Sequence, residues 1–320
     1  MAELRHPASD ARIETSAKEA QVDVPGTTER QFVKIILSRK GFDSENGGVA
    51  SPIFPDGRLH SLPIPAGGSP ARFSQLSPGG VMLGPLVEQL TKGKVPASTR
   101  THLDPDLNHS SRPRPDGWQP AFGQTGAAQG HLSNEGVGDG DIFLFFGWFR
   151  RVVQAGDSWQ FSRGAPNLHV LFGWLQVGQI LPVGAATDEY RARHPGLRDH
   201  PHMYGRREAS NTIYVASTDL AIPGLPVLPG KGAGVFQSVT DELVLTAPGQ
   251  TSRRLWQLPS WMRPSEGRKP LTYHGNPDKW STEGEHVRLV SAAKGQEFVL
   301  DCQHYAQAST WVHGLLRAHG

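Results

Sequence analysis

Residues 141–149 read Asp141-Ile142-Phe143-Leu144-Phe145-Phe146-Gly147-Trp148-Phe149, DIFLFFGWF. A run with no polar side chain from Ile142 to Phe149 suits a strand buried on both faces, because a half-exposed strand would alternate. Its companion is Leu168 to Ile180, LHVLFGWLQVGQI, where Gly173 and Gly178 predict bulges or bends of the kind that curl a sheet. The alternation of strand and long helix that a doubly wound fold requires is absent. The expected fold class is therefore α+β, a strongly bent mixed or antiparallel sheet with few helices and many loops.

Working outward, Phe32 to Leu37 predicts an opening strand, Asp157 to Phe161 an edge strand, and Asn211 to Ala216 a further one. Val235-Phe236 and Leu243 to Thr246 are shorter candidates. Gly84 to Lys92 and Thr187 to His194 have helical spacing. A C-terminal helix carries an apolar stripe of Tyr305, Ala308, Val312, Leu315 and Leu316, fit to cover a sheet. Residues 108–140 are rich in Pro and Gly and show little periodicity, which predicts a long loop; loops of that length in a domain are usually functional or disordered.

The 320 residues suffice for one large domain or two small ones. The apolar fraction is only 37%, and 37 Gly with 26 Pro make loops plentiful. A formal net charge of +2 neither demands nor forbids nucleic acid, since a local basic face can exist without a basic total. Cys302 is alone, which rules out an internal disulfide and a multi-cysteine zinc site and points to a reducing, cytoplasmic setting. No apolar run reaches the roughly 18 residues of a membrane span. The polar residues 1–30 read as a flexible N-terminal tail, and 31–320 as a single domain.

The candidate chemistry lies in loops. The strand from Phe32 empties into Asp43-Ser44-Glu45-Asn46-Gly47-Gly48, and Pro55-Asp56-Gly57 and His60 follow. Glycine lets backbone N–H groups approach a ligand, although acid–glycine pairs also make plain hairpin turns. Farther on, THLDPDLNH spans residues 101–109. If that segment is extended, His102, Asp104 and Asp106 point to one side. Such a set can hold Mg²⁺, Mn²⁺, Fe²⁺ or Zn²⁺, or His102 can act as a general base oriented by an acid, or the acids can cap turns. The spacing does not single out a divalent metal, so no cofactor is assigned and the metal stays unknown.

The reading that unites these segments makes Asp43, Glu45, His60, His102, Asp104 and Asp106 the catalytic set, with loops 43–48 and 102–106 lining one pocket. Ser44, Asn46, Gly47 and Gly48 would bind substrate. In the loop that follows, Arg112, Arg114 and Trp118 can clasp a phosphate and stack on a base, or pack the loop onto its own domain. Asn134 sits where the loop could close over a pocket. His200 and His202 are at strand spacing and join the substrate-binding set, the alternative being a polar turn against a sheet.

FDSENGGVASPIFPDGRLHSLPIP resembles the opening signature of the nucleotide modification associated domain 3 family. THLDPDL and GDIFLFFGWF resemble its next two blocks, and HVLFGWLQVGQI and NTIYVAS fit as well, so the likeness covers roughly residues 31–320. The resemblance implies a setting in DNA-base hypermodification systems, not a reaction. It implies a nucleotide or DNA as partner, together with other base-modification enzymes, and no membrane. The two long bent strands also resemble, more weakly, the PUA and ASCH class of small barrels that read modified bases. Three functions follow as expectations: an enzyme acting on a nucleotide or altered base, a non-catalytic reader of modified bases, and an assembly partner of other modification enzymes.

Overall fold

The structure is a computed structural model, and it describes residue 1 and residues 31–204, 208–293 and 295–320. The tail expected over residues 1–30 lies, apart from Met1, outside the described residues.

The strands in chain order are β1 Lys34–Arg39, β2 Ser51–Ile53, β3 Ala71–Arg72, β4 Arg100–Thr101, β5 Ala121–Gln124, β6 Ile142–Ala155 and β7 Ser158–Phe161. They continue as β8 Leu168–Leu181, β9 Thr212–Ala216, β10 Ala233–Val235, β11 Leu255–Pro259, β12 Trp280–Glu283, β13 His286–Val290 and β14 Glu297–Asp301. Among the described residues four α-helices accompany them: α1 Leu83–Leu90, α2 Gly126–Asn134, α3 Thr187–Arg193 and α4 Ala306–His319. Nine strands form one mixed sheet in the order β14-β1-β6-β8-β9-β5, with β2 and β7 on β6 and β10 on β8. β1 and β2 run parallel to β6, and the other pairs of this sheet are antiparallel. β11-β13-β12 form a separate small sheet.

The apolar run that opens β6 sits at the centre, flanked by β1 and β8. Phe143, Phe145, Phe146 and Phe149 are all fully buried; each contributes about 1.5–3 kcal/mol by leaving water. Beyond Phe149 the strand leaves this core and pairs with β2 and β7, and its side chains are exposed or half-buried except for Val152, which joins a second apolar cluster. The apolar stripe of α4, with Ala308, Val312, Leu315 and Leu316 buried, packs into the same core.

Two glycines of β8 set the bend. The pairing with β6 slips between Phe145 and Phe146, opposite Gly173 and Leu171. The pairing with β9 slips between Val177 and Gln179, around Gly178. A Cβ at Gly173 would lie 2.8 Å from the Gly234 carbonyl, and one at Gly178 2.7 Å from the Ser217 nitrogen. Only a residue without a side chain admits the neighbouring backbone there. The bends bring the far end of the sheet over its middle. The Phe122 ring on β5 lies 5.0 Å from Phe143 and 5.2 Å from Phe145 on β6. Gln124 on β5 donates to Glu297 on β14, 2.6 Å away, so side chains join the two ends of the strand order. No backbone ladder joins them, and the sheet is open; the closed barrel suggested by the two long strands is not formed.

Residues 108–140 are more ordered than their composition predicts, since they contain β5 and α2. α2 lacks an apolar stripe and buries only Gln129 and Leu132. It is held by tertiary contacts such as the Tyr214 hydroxyl donating to Gln129 Oε1 at 3.0 Å, a stabilisation that local periodicity does not reveal. The strand expected at residues 243–246 is instead a 3₁₀ turn, Asp241–Leu243, followed by isolated bridges from Val244 and Thr246.

Candidate functional site

β5 pairs with β9 along one edge and with no named strand along the other. The free edge is taken by residues 104–106. Asp106 and Ala121 exchange backbone hydrogen bonds of 2.9 and 3.1 Å. Two residues along β5, the Gly123 N–H donates to Asp104 Oδ1 at 2.8 Å. Asp104 thus takes the place of the next strand's carbonyl, and its carboxylate, only 5% exposed, is fixed by main chain.

Three histidines converge on that carboxylate. His200 Nε2 lies 3.4 Å from Oδ1 in poor alignment for a hydrogen bond. His202 Nε2 lies 3.7 Å and His102 Nε2 3.8 Å from Oδ2. His200 and His202 flank and enter a 3₁₀ turn, Pro201–Met203, and the His200 Nδ1 accepts from the His202 backbone N–H. Asn211, just before β9, fixes the His202 ring. Its Nδ2 donates to the His202 carbonyl at 2.9 Å, so its Oδ1, 2.7 Å from His202 Nδ1, is the acceptor. The proton of His202 is therefore on Nδ1, and Nε2 keeps its lone pair. His102 Nδ1 meets the Ser69 hydroxyl at 3.4 Å. The His202 ring packs flat against β5 because Gly123 has no side chain: a Cβ there would lie 2.2 Å from His202 Cδ2.

The electrostatics follow from burial. Burial pushes His102 down to about 4, against the pull of Asp104, and it lowers His202 in the same way. Burial alone would raise Asp104; the contact with His200 and the fields of His202 and His102 outweigh it and hold the carboxylate below its usual range. Because burial holds His102 and His202 down, at neutral pH an ionised Asp104 faces these two rings in their neutral form. Lys40 adds a positive field at His102 and His202. Its ammonium is 2.8 Å from Glu297 Oε1, which also takes the Gln124 amide, and it sits 4.6 Å from the Phe122 ring centroid.

The other candidate residues lie elsewhere. Asp43 folds its own loop: its Oδ1 accepts from the Glu45 and Asn46 backbones at 2.8 and 2.6 Å, while Ser44, Glu45 and Gly48 are exposed. Gly47 and Gly48 have φ of +91° and +73°, conformations that suit glycine in a tight turn. Among the described residues, no hydrogen bond or ion pair joins loop 43–48 to residues 102–106. His60 lines a separate cavity of about 160 Å³ with Leu103, Pro105, Asp106, Phe172 and Phe236. Among the described residues its buried Nε2 has no hydrogen-bond partner, and burial brings the ring down to about 4.

Asp106 does not share the face of Asp104. It receives Arg114 through two bonds of 2.6 Å, with side-chain exposures of 9% and 4%. Arg114 also stacks 4.3 Å over Trp118, so these groups fasten the 108–118 loop to the domain. Arg112 pairs with Asp199 at 3.0 Å and ties that loop to the segment carrying His200. Asn134 is exposed at the end of α2. Sequence reasoning therefore brought His102 and Asp104 together but not with His200 and His202, and it missed Ser69, Gly123, Asn211 and Lys40. Asn211 opens the NTIYVAS block, the one signal that could have pointed to it.

No curated protein and no solved structure matches the chain. No described helix is long and apolar enough to cross a membrane. A sequence profile does match residues 34–301, which takes in every member of the histidine–aspartate cluster and covers most of the chain. The chain belongs to the family called nucleotide modification associated domain 3.

Proposed function

We propose that the chain is an enzyme of a nucleotide-modification pathway, acting on a nucleotide or an altered base at the cluster of His102, Asp104, His200 and His202. The family supplies the setting. The observation that carries the reading is the convergence of three imidazoles, from two segments about a hundred residues apart, on one carboxylate of 5% exposure. Burying polar groups without full hydrogen bonding costs stability, and perturbed titratable groups gather where chemistry is done.

The parts suit proton transfer. His202 has one ring nitrogen pinned by Asn211, so the lone pair of its Nε2 is available to a proton or, in its place, to a cation. His102, at 26% side-chain exposure, is the member through which an external substrate meets the cluster. Lys40 favours negative charge developing nearby. A DNA substrate would present its base flipped out of the stack, whereas a free nucleotide would need no such step.

The test is mass spectrometry of nucleosides from cells that carry the intact gene and its neighbours, a deletion, or the variants His102→Ala and Asp104→Asn. One modified nucleoside should vanish in the deletion and in both variants while the variant proteins accumulate normally. Loss in the deletion alone would remove the catalytic role from the cluster. The reader hypothesis draws on a different observation, the His60 cavity walled by Phe172 and Phe236. It expects unchanged nucleosides in all strains, with binding of a modified oligonucleotide that His60→Ala abolishes.

A further inference from the structure

We infer that the chain is a metalloprotein, binding one divalent transition-metal ion through His102 Nε2, His202 Nε2 and Asp104 Oδ2. The binding stands on geometry alone; its part as a cofactor rests on the function proposed above.

Ligand atoms of these three residues lie within 4.8 Å of one another. The two imidazole nitrogens are 3.8 and 3.7 Å from Oδ2. Ligands bonded at about 2.0–2.1 Å around a tetrahedral centre stand roughly 3.3 Å apart, so each nitrogen closes on Oδ2 by about half an ångström and the two nitrogens, within 4.8 Å of each other, close by at most about 1.5 Å. The lone pair of His202 Nε2 is free on the Asp104 side. Asn211 holds the His202 proton on Nδ1, and the Ser69 oxygen can accept the proton of His102 Nδ1. Gly123 occupies Asp104 Oδ1, and among the described residues Oδ2 accepts no hydrogen bond. His202 Nε2 therefore sets an acceptor against an acceptor. That juxtaposition is repulsive until a proton or a cation enters, and the ring of His202 cannot turn to relieve it without breaking its bond to Asn211.

The outer contacts are those that metal ligands need: each ligating group has its other atom held by a separate residue. His200 belongs to this outer layer. Its Nδ1 accepts from the His202 backbone, which leaves its proton on Nε2, the nitrogen that stands 3.4 Å from Asp104 Oδ1. Two imidazoles and one carboxylate disfavour Mg²⁺ and Ca²⁺, which prefer oxygen throughout, and suit ions of the iron-to-zinc range. Three protein ligands leave at least one position for water or substrate, as at reactive rather than structural centres. The partly exposed His102 ring marks the open side.

The experiment uses the full chain, stripped with chelator and titrated with Zn²⁺, Co²⁺ and Mg²⁺ by calorimetry, with the visible spectrum of the Co²⁺ form as a second readout. One equivalent of Zn²⁺ or Co²⁺ should bind, with Mg²⁺ not competing. His102→Ala and Asp104→Asn should each weaken binding at least about tenfold, and Asn211→Ala, a positioning change, about 10–100-fold. His286→Ala removes an exposed histidine on β13 and should change nothing. Circular dichroism and melting of each stripped variant separate lost ligation from lost folding. Absence of stoichiometric binding by the intact chain would overturn the inference. So would equal binding in folded His102→Ala and Asp104→Asn. Metal bound normally beside unchanged cellular nucleosides would instead overturn the proposed function and leave the metal site standing.

Discussion

Replacing Gly123 with alanine tests the site without removing any polar group. A Cβ at this position would stand 2.2, 2.3 and 2.7 Å from Cδ2, Cγ and Nε2 of His202. Carbon atoms pack at about 3.5–4.0 Å, so the imidazole must retreat by more than about 1 Å. It cannot retreat freely: Asn211 holds Nδ1 at 2.7 Å, and the side chain is 8% exposed. Losing that hydrogen bond costs about 1 kcal/mol, and residual overpacking costs about 1–3 kcal/mol more. The expected loss is therefore about 2–4 kcal/mol, read as a lower urea midpoint at unchanged slope. The same movement withdraws Nε2 from Asp104 and His102, so Zn²⁺ affinity should fall in the same protein. A loss below about 0.5 kcal/mol, with metal affinity unchanged, would show that His202 is not packed on β5 as described.

Gly314→Ala is the matched control: it lies within α4, where a Cβ meets no atom within 4 Å, and should stabilise by about 0.5–1 kcal/mol in the same urea assay. Arg114→Ala strips the buried Asp106 of its partner and should cost about 3–5 kcal/mol, with faster amide exchange across residues 108–118. Adding Asp106→Asn to that variant should recover part of the loss, since no uncompensated charge then remains. His60, brought by burial to about 4 from 6.5, makes stability fall with acid. The unfolded chain takes up the proton first, so its contribution is complete above pH 6.5 and is lost as pH drops through 6.5 toward about 4, by about 3 kcal/mol in all. Urea unfolding across that range should show a shallower acid dependence for His60→Gln than for the native chain.

Part of this architecture was legible because it is written locally. The apolar run of β6 has no surface-facing position from Ile142 to Phe146, and Gly173 and Gly178 interrupt β8 where its pairing slips. β5 and α2 were not legible: one is four residues long, and the other has glycine at Gly126 and Gly130 and a single buried leucine. The spacing of His102 and Asp104 was enough to aim them together. It was not enough for Asp106, whose direction is decided by Arg114, eight positions away, outbidding the cluster for its carboxylate. The partner segment was beyond the reach of spacing altogether. Loop 43–48 follows β1 and looked the natural companion, but the curl of the sheet carries β5 over β6 and brings residues 200–202 to Asp104 instead. Which loops meet is settled by that curl, and a sequence records the curl only as isolated glycines.

The position of the cluster has a structural logic. An uncovered strand edge is a liability, because its N–H and C=O groups can recruit another chain. Here residues 104–106 cover the edge of β5 with two backbone bonds and one carboxylate. The segment that closes the edge is thus the one that presents Asp104, with His102 two residues before it. The facing histidines come from a turn tied by Asn211 to the start of β9, which is β5's partner on the other side. Both halves of the cluster are consequently registered to the same two paired strands, and the distance between them is set by sheet geometry rather than by loop length. A site so registered is preorganised: its groups need not be gathered when substrate or metal arrives, and the ordering cost is met during folding. The thermodynamic corollary is that an ion binding only the folded chain must stabilise β5 and β9 together, so hydrogen exchange across Ala121–Gln124 and Thr212–Ala216 should slow in concert on addition of Zn²⁺. Slowing confined to residues 200–202 would place the ion in the turn alone and separate it from the sheet.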